Sequence, residues 1–483
     1  MMFGAKKKFE NAKAGYLTIG SPMFKDWYDG LKRGTYHERV KANALRNAAA
    51  LKDEIDIVLS DIIYTKDAMA DAIQMFFREK VDFIMVEFMS WAEDFSWVQF
   101  LRDMPDTPLL FLNEVKEKMS FENSMDDDDF VEFLTNTSIV GSLEASGSIC
   151  RMGKNVKEII GSREELNEQI RVFARAARMR SILAQSRVGL LANYNEIMWI
   201  TYTNPYNLFT KLGPEFKSLT YTEYNEIIQK VSDAEVDDYM QQLLDTFPLA
   251  EGTNMAKMRE SVRASIGMAK LAEKHDIDAM IFNDLEDSML KLIGCRPGFY
   301  HPKLNENLSV LVPEADMAAG LITYMLKQIS GGKQVNFVEA FYIENASNTF
   351  AAGHAGPNDH NDPENAENVL ITTDAFLATR DDRYAGAAFA WSRMPAGRKT
   401  MAHFSEKDGH YTMITTMVES LPGEHVLKGY SHTMLRPNVS VKELFQKILE
   451  IGATQHYALV DGDYRKELKE LSRLMGFDYY EIA

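Results

Sequence analysis

The residues with the clearest chemical potential are two glutamates and two histidines in the last third of the chain. Glu339 lies in the apolar run NFVEAFYI, where a buried carboxylate needs a cation or several hydrogen bonds. His354 lies in FAAGHAG and His432 in GYSHTML, so small residues and glycine flank each imidazole. Glu314 lies in VPEADM, just before an apolar helical stretch. Together the four side chains offer the oxygen and nitrogen donors of a divalent-metal site, such as one for Mn²⁺.

Spacing alone does not require a metal. The four residues lie far apart in the sequence, and a histidine flanked by glycine is equally typical of a tight turn. Glu314 and Asp316 also suit the start of a helix, where carboxylates are favourable. The remaining candidates are histidines in polar, turn-rich segments, which we interpret as structural or surface residues: His360, His403, His410 and His425.

Composition excludes several classes of function. The 483 residues carry a formal net charge of -18, which disfavours nucleic acid and anionic membranes as partners. The two cysteines, Cys150 and Cys295, allow neither a disulfide framework nor a cysteine zinc cluster. The sequence has no G-x-S-x-G elbow and no Walker loop. We find neither a signal-peptide core nor a run long enough for a membrane span, so we expect a cytoplasmic protein.

The elements that must position these residues alternate between short apolar runs and amphipathic segments, which is typical of parallel strands joined by helices. GYLTIG, DIVLS, VDFIMVEF and TPLLFLN predict strands of a first doubly wound α/β domain. A helical stretch at 164–185 leads into RVGLLANYN, which predicts the first strand of a second α/β domain. After Gly331 the strands are shorter and Gly, Pro and Asn turns separate them, so the third domain is β-rich. The predicted boundaries are 1–186, 187–331 and 332–483.

Two local predictions concern the site directly. EHVLKGY, ahead of His432, predicts a strand that ends at that histidine. GSLEASGS, which contains Leu143 and Ser146, reads as a loop ahead of the second domain.

The order VPEADM, FVEAFY, FAAGHAG and GYSHT resembles the metal site of the L-arabinose isomerase family and its L-fucose isomerase relatives. The final segment, 429–482, is similar to the end of L-arabinose isomerases in the order of its elements and in its G-x-x-H-T start. The resemblance is weak over the whole chain and good over about the last 170 residues.

The resemblance implies two α/β domains followed by a β-rich barrel with appended helices. It implies that Glu314, Glu339, His354 and His432 bind Mn²⁺ or a similar ion, and that both glutamates stand beside C1 and C2 of an open-chain sugar. Asp316 would contact the ligands or the sugar. The family's activity is aldose–ketose isomerisation through an enediol, in a trimer or a hexamer built of trimers whose sites are completed by an adjacent subunit.

The chain also departs from the family pattern. Leu143 and Ser146 stand where L-arabinose isomerases carry a glutamine and a histidine, at positions expected to face the sugar. Ala340 follows Glu339 where those enzymes carry an acid. We therefore expect a sugar other than L-arabinose to be the best substrate. Two other classes stay open: a sugar-binding protein without catalysis, and a metal-dependent epimerase or lyase on the same fold.

Overall fold

A computed structural model describes residues 11–27, 30–119, 121–123, 125–284, 286–374 and 387–483. The chain divides into two compact units, Met1–Ser181 and Ile182–Ala483. It combines parallel sheets that carry helices with an antiparallel barrel near the C-terminus. The three-domain division at 186 and 331 stays a prediction.

The first unit is built on a five-stranded parallel sheet with the order β2-β1-β3-β4-β5. This order, in which the chain starts near the middle and winds to both sides, is that of a doubly wound α/β domain. Its strands are β1 (Ala12–Ile19), β2 (Ile55–Leu59), β3 (Phe83–Phe88), β4 (Leu109–Glu114) and β5 (Val156–Gly161). Its helices are α1 (Tyr36–Ala49), α2 (Lys66–Glu79), α3 (Phe95–Asp103), α4 (Asp127–Leu134), α5 (Ser138–Met152) and α6 (Arg163–Leu183).

The three central strands of this sheet, β1, β3 and β4, are mostly buried because helices cover them. β3 is buried at all six positions, and Phe88, Trp97 and Phe111 form part of one core with α2 and α3. Polar caps begin the helices: Thr35 and Glu38 form a capping box at α1. The predicted alternation of strands and helices is confirmed over this unit.

The second unit begins with a four-stranded parallel sheet of order β7-β6-β8-β9. Its strands are β6 (Arg187–Leu191), β7 (Glu215–Leu219), β8 (Ala279–Phe282) and β9 (Val310–Val312). The accompanying helices are α7 (Pro205–Asn207), α8 (Tyr221–Ile228), α9 (Asp233–Thr246), α10 (Met255–Lys274), α11 (Asp287–Ile293), α12 (Pro302–Glu306) and α13 (Met317–Ile329), with a 3₁₀ turn at Trp199–Thr201 and a π turn at Leu208–Leu212.

An antiparallel barrel follows in the same unit. Six strands in the order β14-β17-β10-β11-β16-β15 close on themselves through a β14–β15 pairing, and β18 extends β15 in parallel. The strands are β10 (Val335–Glu344), β11 (Thr349–His354), β14 (Gly397–Lys407), β15 (His410–Leu421), β16 (Ser431–Pro437), β17 (His456–Asp461) and β18 (Asp478–Ile482), and β12 (Val369–Thr373) and β13 (Ala388–Ser392) pair separately. A 3₁₀ turn at Pro363–Asn368 and the helices α14 (Val441–Ile451) and α15 (Arg465–Met475) complete the unit.

Two local predictions are wrong. The EHVLKGY segment is not a strand, because its backbone N–H groups at Val426 and Leu427 donate to the His432 ring instead of to a neighbouring strand. The GSLEASGS segment is helical within α5, because Gly141 lets the helix pack closely on the backbone after β3.

In the part of the chain that the structure describes, we find no helix with the length and apolar character needed to cross a bilayer.

Candidate metal and proton-transfer site

Three neighbouring barrel strands and one loop bring the candidate ligands together. Glu339 lies in β10, directly opposite His456 at the start of β17. His354 is the last residue of β11, which pairs with the other edge of β10. Glu314 lies between β9 and α13. One donor atom from each of the four side chains lies within 4.8 Å of the others.

The closest contacts join the two imidazoles to the two carboxylates. His456 Nε2 lies 3.1 Å from Glu314 Oε2 and 3.6 Å from Glu339 Oε1. His354 Nε2 lies 3.5 Å from Glu314 Oε1 and 4.0 Å from Glu339 Oε2. Both histidines are buried, and both glutamates retain some exposure.

Each imidazole uses its other nitrogen to fix its orientation. His456 Nδ1 donates to Asp316 Oδ2 at 2.8 Å, and His354 Nδ1 donates to the Ala355 carbonyl at 2.6 Å. A neutral ring held in this way turns the lone pair of Nε2 toward the carboxylates. Phe337 packs against both rings, with centroid distances of 4.5 Å and 4.6 Å.

The donor set fits a divalent cation. Among the described residues, the buried His354 Nε2 has no hydrogen-bond partner, although carboxylate oxygens lie nearby. The Nε2 lone pairs of two neutral imidazoles are repelled by the two carboxylates that they face, unless a cation lies between them or one ring is protonated. Two imidazoles and two carboxylates are the ligand types that suit Mn²⁺, Fe²⁺ or Zn²⁺.

The pKa shifts follow the same geometry. Burial alone would raise the pKa of Glu314, but His354 and His456 lower it well below its usual value. Burial alone would lower the pKa of His456, but Asp316, Glu314 and Glu339 raise it well above its usual value. The protein without metal therefore favours a charged Glu314 beside a protonated His456.

Glu339 is less buried than its apolar sequence predicts, with a side chain 22% exposed. The β10–β11 ladder shifts register between Ala340 and Tyr342, directly after Glu339. Bulges of this kind redirect side chains and are frequent beside active sites. The register of β10 places Glu339 between its two neighbouring strands, opposite Gly353, the residue before His354, in β11 and opposite His456 in β17.

Among the small residues around His354, Gly353 is required by the close packing of two strands. A Cβ there would lie 2.3 Å from the Ser431 carbonyl oxygen, so β11 approaches β16 at a distance that only glycine allows. His354 itself does have a bulky packing neighbour, Phe337, from β10.

His432 does not join the group, so the structure corrects its predicted role. Its Nδ1 bonds the Tyr430 carbonyl at 2.7 Å, and its Nε2 accepts from the Val426 N–H at 3.0 Å. Its ring lies beside those of Trp391 and His425. Both nitrogens are therefore engaged by the chain before β16, and His456 takes the fourth position.

His456 is absent from the predicted ligands, because it begins the apolar strand HYALVD without flanking glycine. Its only signal is the pairing of β17 with β10, which places it opposite Glu339. Asp316 Oδ2 accepts from His456 Nδ1 and its Oδ1 caps α13, while its predicted role beside the ligands or the sugar stays a prediction.

Leu143 and Ser146 belong to the first unit, and their expected contact with a sugar stays a prediction. The Leu143 side chain is exposed, and Ser146 Oγ donates to the Leu143 carbonyl within α5.

A cavity of about 470 Å³ lies in the second unit, and one of its lining residues connects it to Glu314. Asn195 Nδ2 donates to the Glu314 carbonyl at 3.2 Å. This volume falls within the range of small-molecule sites. The lining consists of Tyr194, Asn195, Glu196, Trp199, Thr201 and Tyr202.

Comparison with curated proteins finds distant similarity to proteins named sulfoquinovose isomerase. Those of Priestia aryabhattai and Priestia megaterium are 21% identical over 320 residues, which cover 65% of this chain and 68% of theirs. The protein of the same name from Alkalicoccus urumqiensis is 23% identical over 202 residues, which cover 39% of this chain and 43% of its own length. Membership of the L-arabinose isomerase family itself stays a prediction.

No family model matches the chain. Among solved structures, a periplasmic sugar-binding protein of an ABC transporter from Legionella pneumophila is 12% identical, with a TM-score of 0.15 over 66% of this chain and 95% of its own. A solute-binding protein from Burkholderia multivorans gives 12% identity and a TM-score of 0.17 over 58% of this chain and 84% of its own. These scores are too low to relate the folds.

Proposed function

We propose that the chain is a divalent-metal-dependent aldose–ketose isomerase that acts on an open-chain sugar. The observation that carries the proposal is the group of Glu314, Glu339, His354 and His456, whose donor atoms lie within 4.8 Å of one another. The distant similarity to sulfoquinovose isomerases supports the same reaction class.

The four side chains would hold the metal, with Mn²⁺ as the expected ion. When bound, a divalent ion supplies positive charge that acidifies the carbon beside a sugar carbonyl and stabilises an enediol. Asp316 holds His456 with Nε2 directed at the site, and Ala355 does the same for His354 through its carbonyl.

The two glutamates are the proton carriers in this proposal. Isomerisation removes a proton from C2 of the aldose and returns one to C1 of the ketose, which is general acid–base chemistry. Glu314 and Glu339 converge on the same site from a loop and from a barrel strand. The neighbouring imidazoles favour the charged form of Glu314, which is the form that binds a cation.

The sugar that the enzyme prefers is proposed to differ from L-arabinose. Leu143 and Ser146 replace longer or more polar residues of the resembled family, and the named relatives act on sulfoquinovose. We further propose a homo-oligomer, a trimer or hexamer, that works in the cytoplasm without nucleic acid or membrane partners.

The test is incubation with Mn²⁺ and a panel of sugars in D₂O, followed by NMR. The panel contains L-arabinose, L-fucose, D-galactose and sulfoquinovose. Isomerisation gives a ketose with deuterium at the transferred position, whereas epimerisation gives a new aldose and binding alone gives no exchange. Release of a fragment would indicate a lyase.

A pair of variants on one strand connects the activity to the site. Glu339→Gln removes a proposed proton carrier and should reduce kcat by about 10²-fold or more. Glu344→Gln changes an exposed glutamate at the end of the same strand and should leave kcat unchanged. Equal activity in both variants would refute the role of Glu339.

A further inference from the structure

The backbone that carries Glu314 adopts an unusual conformation. Glu314 and Ala315 have φ angles of 63° and 58°, in the left-handed region that residues with a Cβ rarely occupy. Such residues persist only where the surroundings hold them, and they cluster at functional sites. The groups that hold this turn therefore determine where the Glu314 carboxylate points.

Side chains and backbone from neighbouring strand ends hold the turn at three points. Asp284 Oδ1 accepts from the Glu314 N–H at 3.0 Å, and Asn195 Nδ2 donates to the Glu314 carbonyl at 3.2 Å. The Ala315 N–H donates to the Phe282 carbonyl at 3.1 Å. Asn195 follows β6, Asp284 follows β8 and Glu314 follows β9, so all three lie at the carboxyl edge of the parallel sheet.

A buried ion pair network fixes Asp284 in turn. Arg296 Nη1 donates to Asp284 Oδ2 at 2.9 Å, and Arg296 Nε and Nη2 donate to Asp374 Oδ2 at 2.9 Å and 2.7 Å. All three side chains are almost fully buried. A carboxylate has little freedom to rotate when one of its oxygens accepts from a guanidinium and the other accepts from a backbone N–H.

We infer that Asp284 is the positioning residue for Glu314, and that Arg296 and Asp374 hold Asp284 in place for this purpose. The inference rests on the proposed function, in which Glu314 is a metal ligand and proton carrier. Asp284 acts through the backbone of Glu314, which sets the direction of the carboxylate toward His354 and His456.

The competing explanation is that the network only stabilises the fold. Loss of either acid leaves Arg296 with one fewer buried carboxylate, so both losses should destabilise the protein. Only the loss of Asp284 also removes the acceptor of the Glu314 N–H. Asp284→Ala and Asp374→Ala therefore form a matched pair.

The first experiment is a crystal structure of each variant without added metal. In Asp284→Ala we expect Glu314 to leave the left-handed region and the 3.1 Å contact between Glu314 and His456 to open. In Asp374→Ala we expect both features to remain. An unchanged Glu314 in Asp284→Ala would overturn the inference, and this readout does not depend on any activity.

The second experiment is titration of the metal-free variants with Mn²⁺ by calorimetry. We expect Asp284→Ala to bind Mn²⁺ at least tenfold more weakly than Asp374→Ala. Equal affinities would overturn the inference. A wild-type protein that binds Mn²⁺ and isomerises no sugar would count against the proposed function alone.

If Asp284→Ala does not fold, Asp284→Asn replaces it in both experiments. An amide offers one oxygen where the carboxylate offers two. The charged guanidinium is the stronger donor and takes that oxygen, so the amide NH₂ faces the Glu314 N–H. We expect the same displacement of Glu314, and its absence would overturn the inference equally.

Discussion

The Asp316 carboxylate caps α13 and also orients His456, one of the proposed metal ligands. Its Oδ1 accepts from the Ala319 N–H and caps α13, while its Oδ2 accepts from His456 Nδ1. A hydrogen bond to the distal nitrogen fixes the tautomer of a metal-binding histidine. The side chain therefore has one structural and one chemical role, and a substitution can separate them.

The variant Asp316→Asn should keep the cap and disturb the histidine. Asparagine caps helices as well as aspartate, so the start of α13 should be retained. An amide NH₂ cannot accept from His456 Nδ1, and a ring that changes tautomer loses the lone pair directed at Glu314. We expect Mn²⁺ affinity, measured by calorimetry, to fall about 10- to 100-fold.

Asp316→Ala is the companion variant. It should lose the metal to a similar extent and, in addition, about 1 kcal/mol of folding stability through the missing cap. Wild-type Mn²⁺ affinity in Asp316→Asn would show that Asp316 does not orient a ligand.

Among the secondary-structure elements of the first unit, the carboxyl edge of the sheet contains a cluster of paired charged side chains. Arg163, at the start of α6, bonds Glu87 at the end of β3 and Glu114 at the end of β4. Burial alone would raise the pKa of Glu114, but Arg163 and Lys116 lower it. A carboxyl group whose pKa is lower in the folded protein than in the unfolded chain, where it is about 4.3, stabilises the fold at pH values above about 4.3. This stabilisation is lost as the pH falls through the pKa of the folded protein.

The variant Arg163→Gln should therefore destabilise the protein in a pH-dependent way. At pH 7 it leaves two partly buried carboxylates without their guanidinium, at a cost of about 3 kcal/mol. The difference from wild type should shrink as the pH falls through the lowered pKa of Glu114, where that carboxylate takes up a proton. Denaturant unfolding at pH 7 and at pH 3 to 4 measures it.

Arg102→Gln is the control, because Arg102 is an exposed arginine paired with Asp103. Its effect should stay within about 0.5 kcal/mol at both pH values. An Arg163→Gln penalty that does not change with pH would show that the paired carboxylates do not cause it.

Regular elements were predictable where local signals and burial agree. The predicted helices at 233–246 and 255–274 match α9 and α10, whose starts are capped by Ser232 and Asn254. TFAAGH matches β11. Each of these segments has a periodic apolar face bounded by polar capping or turn residues, so its limits can be read locally.

The failures share a different cause, which is contact with distant parts of the chain. The glycine-rich GSLEASGS is typical of a loop, but it lies in α5. Gly141 is needed there because the helix packs closely against the Ser90 carbonyl. EHVLKGY has strand-forming residues, but Val426 is exposed and its N–H binds the His432 ring. His456 enters the site through the register of β17 on β10, which the sequence alone does not specify.

For the molecule as a whole, the proposed sugar preference rests on two residues of the first unit. Leu143 and Ser146 lie in the first unit, while the four proposed ligands lie in the second. A leucine cannot hydrogen-bond a hydroxyl, and a lost hydrogen bond disfavours the sugar that it once recognised.

We therefore expect another aldose to exceed L-arabinose in kcat/KM at one Mn²⁺ concentration. The measurement compares L-arabinose, L-fucose, D-galactose and sulfoquinovose under identical conditions. If L-arabinose led by tenfold, about 1.4 kcal/mol of transition-state preference, the interpretation of Leu143 and Ser146 would be wrong.

The assembly is a separate whole-molecule prediction. We expect light scattering to give the mass of three or six chains of 54.9 kDa, with activity that is lost on dilution below the assembly's dissociation constant. A fully active monomer would contradict this expectation, and it would leave the metal site itself unaffected.

The metal site is tested most directly by titrating metal-free protein with Mn²⁺ in the wild type, His456→Ala and His432→Ala. Circular dichroism first establishes that all three are folded. We expect one Mn²⁺ per chain in the wild type and in His432→Ala, and binding at least 100-fold weaker in His456→Ala. Wild-type affinity in His456→Ala, or a loss of binding confined to His432→Ala, would contradict this prediction.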